Sequence, residues 1–162
     1  MRGNMGAVDP SLEDVEHNRM LQRRRDLYVY EAQCLSLALS ASVTDIIQIE
    51  ADSSFILQKL AYFPTPQVFG AIAASTLGLV ESQRLLPPVA IVITDTGSGR
   101  QLMPAPIPIP SLFGSGALPF ILPNPRLFMR NSTIQVTFTN LDTTNAWTVR
   151  LAFIGYKVYA TS

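Results

Sequence analysis

Two segments near the end of the chain alternate strictly between apolar and polar residues. In STIQVTFTN, Ile134, Val136 and Phe138 are separated by glutamine and threonine. In WTVRLAFIGYKVY, Trp147 and Val149 begin a second series of the same kind. Successive side chains of a β-strand point to opposite faces, so a period of two predicts strands with one buried face. The residues between them, LDTTNA, predict a hairpin connection.

Similar patterns occur earlier in the chain. QCLSLALSAS alternates from residue 33, TDIIQIE and SSFILQKLAYF follow, and PPVAIVITDTGSGRQLM predicts a strand, a tight turn and a further strand. Pro64 and Pro66 should end the third of these strands, because proline cannot donate a hydrogen bond to a ladder. The stretch QVFGAIAASTLGLVESQRLL has no clear period. About eight strands without a strong helix in the body predict an all-β, jelly-roll-like antiparallel β-sandwich.

Residues 104–125, PAPIPIPSLFGSGALPFILPNP, contain seven of the 12 prolines. Alternating prolines favour extended or polyproline backbone and exclude a helix or a central strand. Isoleucine, leucine and phenylalanine lie between the prolines, so the segment is not a polar linker. We expect a proline-rich loop that is covered either by its own domain or by another chain. Phe113 and Phe120 are its candidate partner contacts.

The charged residues divide the chain into two parts. Ten of the 24 charged side chains lie within residues 1–26, and the rest of the chain is poor in charge. VDPSLEDVEHNRMLQRRRDL has Asp9 or Ser11 as a helix cap, with acidic residues early and arginines late, which predicts a short helix. We therefore expect a charged helical or extended arm over residues 1–32, ordered by a partner, and a sandwich domain over residues 33–162. The candidate contacts in the arm are Leu12, Val15, Arg19, Arg23, Arg24 and Arg25.

Several classes of protein do not fit the composition. A formal net charge of zero argues against specific nucleic-acid binding and against attraction to an anionic membrane. The longest apolar run, VFGAIAASTLGLV, is too short to cross a bilayer, and the polar N-terminus does not resemble a signal peptide. The single cysteine, Cys34, permits neither an internal disulfide nor a cysteine-based zinc site, and we expect it to be buried.

The sequence also offers little for catalysis. The only histidine, His17, lies in the charged arm, so no triad can be assembled around it. Two carboxylate pairs remain open, Asp45 with Asp52 and Asp95 with Asp142, but turn chemistry explains each residue more simply. The Asp-Thr-Gly of DTGSGR occurs once, and we expect a tight turn there. We predict that the chain is not an enzyme and has no catalytic, cofactor-binding or metal site.

Three stretches in order, ITDTGSGRQLM, PIPIPSLFGSGALPFILPNPRLF and NSTIQVTFTNL, resemble a family of small structural proteins of tailed-bacteriophage virions. The likeness extends over roughly residues 53 to 158. It implies a β-sandwich subunit located in the virion and assembled in the host cytoplasm, either a capsid decoration (cement) protein or a neck or tail component. The expected partners are further copies of the chain, as a homotrimer or other symmetric oligomer, and the major capsid protein or neighbouring virion proteins.

Three hypotheses stay open at this stage. A decoration protein agrees with a charge-poor body, since interfaces between permanent subunits resemble a divided core. A neck, tail or head-fibre protein would have the same surface chemistry. A carbohydrate- or receptor-binding sandwich would use exposed aromatic residues, although Trp147 opens a core strand and should pack inside.

Overall fold

The computed structural model describes residues 25–67 and 86–159, and these form a β-sandwich. The long strands are β1 Arg25–Leu37, β2 Ser42–Gln48, β3 Ser53–Gln67, β4 Val89–Asp95, β8 Phe120–Phe128, β9 Thr133–Asn140 and β10 Ala146–Tyr159. The short elements are β5 Arg100–Gln101, β6 Ile107–Pro108, the helical turn α1 Ile109–Leu112, and β7 Gly114–Ser115. The predicted all-β sandwich is confirmed.

The strand pairing is that of a jelly roll. In the first sheet the order is β1-β10-β3, and β8 and β7 pair with the far edge of β3. In the second sheet the order is β2-β9-β4, and β5 and β6 pair with the far edge of β4. Thus β1 pairs with β10, β2 with β9, β3 with β8, and β4 with the short β5 and β6, all antiparallel, while the two-residue β7 pairs in parallel with β3. The nested antiparallel pairing of the long strands, divided between two sheets, is that of the double Greek key of a jelly roll.

The alternation seen in the sequence fixes which side chains enter the core. Ile134, Val136 and Phe138 of β9 are fully buried, as are Val149 and Leu151 of β10. Because residues of the two inner faces interdigitate, they form one continuous core between the sheets. Cys34 also lies in this core, as predicted, and burial raises the pKa of its thiol.

The predicted hairpin between β9 and β10 is wrong, because the two strands belong to different sheets and the residues between them cross the end of the sandwich. Asn140, which is buried, organises this crossing. Its Nδ2 donates to the carbonyl oxygens of Leu37, Ala38 and Asn145 at 3.0 to 3.2 Å, and its Oδ1 accepts from the backbone N–H of Asp142. One amide therefore holds the ends of β1, β9 and β10 together.

The proline-rich segment is more structured than predicted. Within residues 104–125 the chain forms β6, α1, β7 and the start of β8, so the exclusion of a helix is wrong, whereas each described strand of the segment pairs on one side only and none is a central strand. The strands are short edge pieces, where a missing proline N–H is tolerated, and Pro110 lies in the first turn of α1, where that N–H would have no helical partner. Ile109 and Phe113 enter the core, so the segment is covered at least partly by its own domain.

Two predicted boundaries also change. β3 continues through Pro64 and Pro66 to Gln67, paired with β10 throughout. The two prolines are two residues apart, so their nitrogens face the same side of the strand, and the pairing with β10 can use the other side.

At the N-terminus β1 begins at Arg25, so residues 25–32 belong to the sandwich and not to an arm. The helix predicted before them lies outside the described residues.

Candidate interaction surface

Two carboxylates, Asp45 and Asp95, connect the two sheets at the two open edges of the sandwich. At one edge Asp45 Oδ2, on β2, accepts from the backbone N–H of Gln33, on β1, at 2.8 Å. At the other edge the buried Asp95 of β4 forms an ion pair with Arg126 of β8 at 3.2 Å. Burial alone would raise the pKa of Asp95, but hydrogen bonds from Ser98 and Arg126 outweigh it and hold the pKa below its ordinary value. Each carboxylate links one sheet to the other.

The DTGSG segment forms the predicted tight turn between β4 and β5. Asp95 Oδ1 accepts from the backbone N–H groups of Gly97 and Ser98, and Gly99 has a φ of 64°, which favours glycine. Asp142 is used in the same way at the β9–β10 crossing. It accepts from Thr144, Asn145 and the indole Nε1 of Trp147, and these hydrogen bonds lower its pKa.

A third polar cluster lies where β2 turns into β3. Lys157 Nζ contacts Glu50 Oε2 at 2.8 Å and lies 3.7 Å from the ring centroid of Tyr28, while the hydroxyl of Tyr30 donates to the same carboxylate. Burial would raise the pKa of Glu50, but the hydrogen bonds from Lys157 and Tyr30 outweigh it, so the pKa is lowered. Burial and the Glu50 hydrogen bond raise the pKa of Tyr30. The positive charge of the buried Lys157 is therefore balanced by Glu50 within the fold.

The outer face of the second sheet is largely polar and uncharged, although Ile46, Ala90 and Val92 also lie on it. Cross-strand hydroxyl pairs run along it: Ser42 with Thr139, Thr44 with Thr137, and Thr96 with Thr133, at 2.8 to 2.9 Å. Gln135 lies on the same face, opposite the exposed Ile46 of β2. An antiparallel sheet with one face in the core and one in water has this alternation. The second sheet thus has the surface of a solvated sheet.

The outer face of the first sheet has the opposite chemistry. We use the name apolar face for a set of outward side chains on β1, β10, β3 and β8. Its members are Leu27, Val29, Ile56, Ile121, Leu127, Ile154 and Tyr156. They lie in two adjacent rows: Val29, Ile154, Lys59 and Ile121 are opposite one another across the strands, and Leu27, Tyr156, Ile56 and Leu127 form the next row. Leu27 is 67 % exposed, and Val29, Ile121 and Leu127 are also exposed.

Charged groups are few on this side of the molecule. Glu31 and Arg150 form an exposed ion pair of 3.6 Å beyond one end of the apolar face, and Arg25 lies beyond the other. Lys59 is the one charge within the rows, and it has no ion-pair partner within residues 25–67 and 86–159. An exposed sheet that is apolar across four strands is the kind of surface that proteins use for association.

Two depressions flank the apolar face. The first, of about 550 Å³, has a floor that includes Ala61 and Ala152, a wall formed by Phe63, and a rim formed by residues 115–117. The second, of about 480 Å³, lies at the other end and is lined by Ile56, Leu127, Arg25, Arg130 and Met129 among others. The surface therefore has relief into which side chains of a partner can enter.

The residues predicted to contact a partner differ in where the structure places them. Phe113 is 2 % exposed and packs edge to face on Phe153, with ring centroids 5.8 Å apart, so its assignment as a partner contact is wrong. Phe120 is 39 % exposed and lines a cavity of about 300 Å³ between the sheets, so its role as a partner contact stays a prediction. Arg25 is exposed on β1, while Leu12, Val15, Arg19, Arg23 and Arg24 lie outside the described residues.

The apolar face was not among the predicted sites, although a signal for it is present in the sequence. The outward set of β9 is threonine and glutamine, whereas the outward set of β10 includes Ala152, Ile154 and Tyr156. Two strands with the same strict alternation thus differ in what they present outwards. That difference between strands distinguishes the largely polar outer face of the second sheet from the apolar outer face of the first.

Comparison with protein-family models, with curated proteins and with solved structures finds no match to this chain. In the part of the chain that the structure describes, no helix has the length and apolar character needed to cross a membrane. Within residues 25–67 and 86–159, no three His, Cys, Asp or Glu side chains are grouped so that they could hold a metal ion.

Proposed function

We propose that the chain is a non-enzymatic structural subunit of a phage virion, and that it acts there as a capsid decoration protein. In this role it strengthens the shell by self-association and by contacts with the major capsid protein or other neighbours. The single observation that carries the proposal is the apolar face, which leaves four strands of one sheet without the polar surface that the other sheet has. Burying that face between subunits is favourable at roughly 25 cal/mol per Å² before the costs of association.

The use of the charged groups supports the same proposal. Four carboxylates stabilise the fold through contacts between strands or within turns: Asp45, Asp95, Glu50 and Asp142.

The aromatic residues support the same proposal. Trp147 is 8 % exposed and its indole is bonded to Asp142, so it does not offer a platform for a sugar ring. Jelly rolls are common in viral capsid proteins, which adds an argument from the fold alone.

Quantitative mass spectrometry of purified particles of the phage that encodes the chain tests the proposal. We expect the chain in the particle at a copy number comparable to that of the major capsid protein, and we expect particles without it to release DNA at a lower temperature. A copy number fixed by a portal or tail axis would instead assign it to the neck or tail. Its absence from purified particles would contradict the proposal altogether.

The predicted role of the N-terminal segment needs its own test. A chain that starts at Arg25 keeps every strand of the described sandwich, so it should fold. We expect its circular dichroism spectrum to remain that of a β protein while its binding to particles lacking the full chain weakens, because tethered segments add to binding through effective concentration. Unchanged binding to particles would remove residues 1–24 from the mechanism.

A further inference from the structure

We infer that the apolar face is the site at which a second copy of this chain docks, with the two first sheets packed face to face about a two-fold axis. This docking site rests on the proposed function, because that function requires self-association, and it adds the surface through which the copies associate. Each copy would cover the other's Leu27, Val29, Ile154 and Tyr156 with the same residues, as an isologous contact requires.

The outer side of the first sheet is large enough for such a contact. From Arg25 to Gln33 along β1, and across the four strands β1, β10, β3 and β8, it measures about 30 Å by about 19 Å, taking the usual strand rise and spacing, with the apolar face at its centre and charged residues at its two ends. That is roughly 570 Å² per subunit as a flat projection, so a pair buries about 1,100 Å². A biological interface should bury at least about 1,000 Å² in total. Side-chain relief, including the two depressions, adds to this value.

The chemistry of the face favours a second copy over a partner of another kind. Glu31 and Arg150 already pair with each other, so they offer little net charge to an acidic or basic partner. The remaining rows are aliphatic apart from Tyr156 and Lys59. Two sheets with the same right-handed twist pack face to face about 10 Å apart, with their strands about 30° from parallel, and an identical sheet meets that condition. Lys59 lies within one of the rows, on the strand next to the edge strand β8, so its aliphatic stem can pack in such a contact while its ammonium group extends to water.

The first experiment compares two charge substitutions by sedimentation velocity of the full chain over a range of concentrations. Leu27→Glu places a carboxylate on the apolar face, and Ile46→Glu makes a similar change on β2, the edge strand of the second sheet, where Ile46 is 59 % exposed. An isologous contact would bury the new charge twice. We therefore expect Leu27→Glu to raise the dissociation constant at least about 100-fold and Ile46→Glu to change it less than about threefold.

The second experiment tests the two-fold geometry. In a Cys34→Ser background, Ile154→Cys introduces one thiol at the middle of the apolar face, on the strand between β1 and β3. Thr137→Cys is the matched control, on the middle strand of the second sheet. A short bismaleimide should join two copies through Cys at 154 and not through Cys at 137, because residues near a two-fold axis meet their own counterparts.

The outcomes separate this inference from the proposed function. If the full chain self-associates but Leu27→Glu leaves the association unchanged, or Ile154→Cys fails to cross-link, the surface assignment is wrong and the structural role stands. If removing residues 1–24 dissociates the oligomer while Leu27→Glu does not, the N-terminal segment and not the face joins the copies. If the wild-type chain remains a single subunit at high concentration, both proposals fail.

Discussion

The buried amide of Asn140 holds three chain segments at one end of the sandwich, and replacing Asn140 with Asp tests that role without changing the shape of the side chain. In the native protein Nδ2 donates to the carbonyl oxygens of Leu37, Ala38 and Asn145 at 3.0 to 3.2 Å. In the variant an oxygen occupies that place and faces three carbonyl oxygens. At neutral pH it is also a buried charge, since Asn140 is 2 % exposed.

The size of the effect follows from these contacts. The two N–H groups of the amide make hydrogen bonds worth about 1 kcal/mol each, and leaving buried carbonyl oxygens without a donor adds about 1–3 kcal/mol. We expect Asn140→Asp to lower the free energy of unfolding by about 3–5 kcal/mol at pH 7. Burial and the facing carbonyl oxygens should raise the folded-state pKa of the new carboxyl above its unfolded value. Its protonation then restores one donor, so the loss should shrink as the pH falls from 7 towards 4.

Urea unfolding followed by the fluorescence of Trp147, the only tryptophan, measures this change. Asn124→Asp is the control, because it makes the same substitution at an exposed position and should shift stability by less than about 0.5 kcal/mol. A loss below about 1 kcal/mol for Asn140→Asp, or a loss that does not vary between pH 4 and pH 7, would refute the role assigned to this amide.

Two further predictions concern the core and the edge of the sandwich. Phe113→Ala should cost about 3–5 kcal/mol in urea unfolding, because the ring is buried against Phe153, whereas Phe120→Ala, at a half-exposed site, should cost about 1–2 kcal/mol; similar losses would contradict the placement of Phe113. The Asp95–Arg126 ion pair should stabilise the fold above the ordinary pKa of 3.8 and be lost as the pH falls through the lowered folded-state pKa. In thermal melts, Asp95→Asn should therefore destabilise at pH 7 and reduce the dependence on pH below about 4; an unchanged acid dependence would contradict this.

Much of the fold follows from local patterns. β9 and β10 were predictable because a period of two is set by strand geometry, and Ile134 or Val149 has only one face on which to be buried. The partner of each strand was not predictable in the same way. Whether β9 and β10 form a hairpin or cross between sheets depends on contacts of Asn140 with residues about 100 positions earlier in the chain. Local turn residues do not encode such distant contacts.

The proline-rich segment illustrates a second limit. The rule that proline disfavours a ladder holds for strands bonded on both sides. Within residues 25–67 and 86–159, Pro64 and Pro66 are paired on one side only, and Pro108 lies in a short edge strand. The sequence also did not indicate which aromatic ring of the segment enters the core, because Phe113 and Phe120 have similar neighbours in sequence. The candidate surface could have been predicted only by comparing outward positions between strands that turn out to share a sheet.

We propose that this chain covers its own apolar face by associating with copies of itself, and the mass of the purified chain in solution tests that proposal most directly. Light scattering of the purified full chain, coupled to gel filtration, should give a defined multiple of the subunit mass of 17.8 kDa at micromolar concentration. The mass should stay constant on moderate dilution and at high salt, because apolar burial is screened little by ions. A mass of one subunit at every concentration would contradict the account.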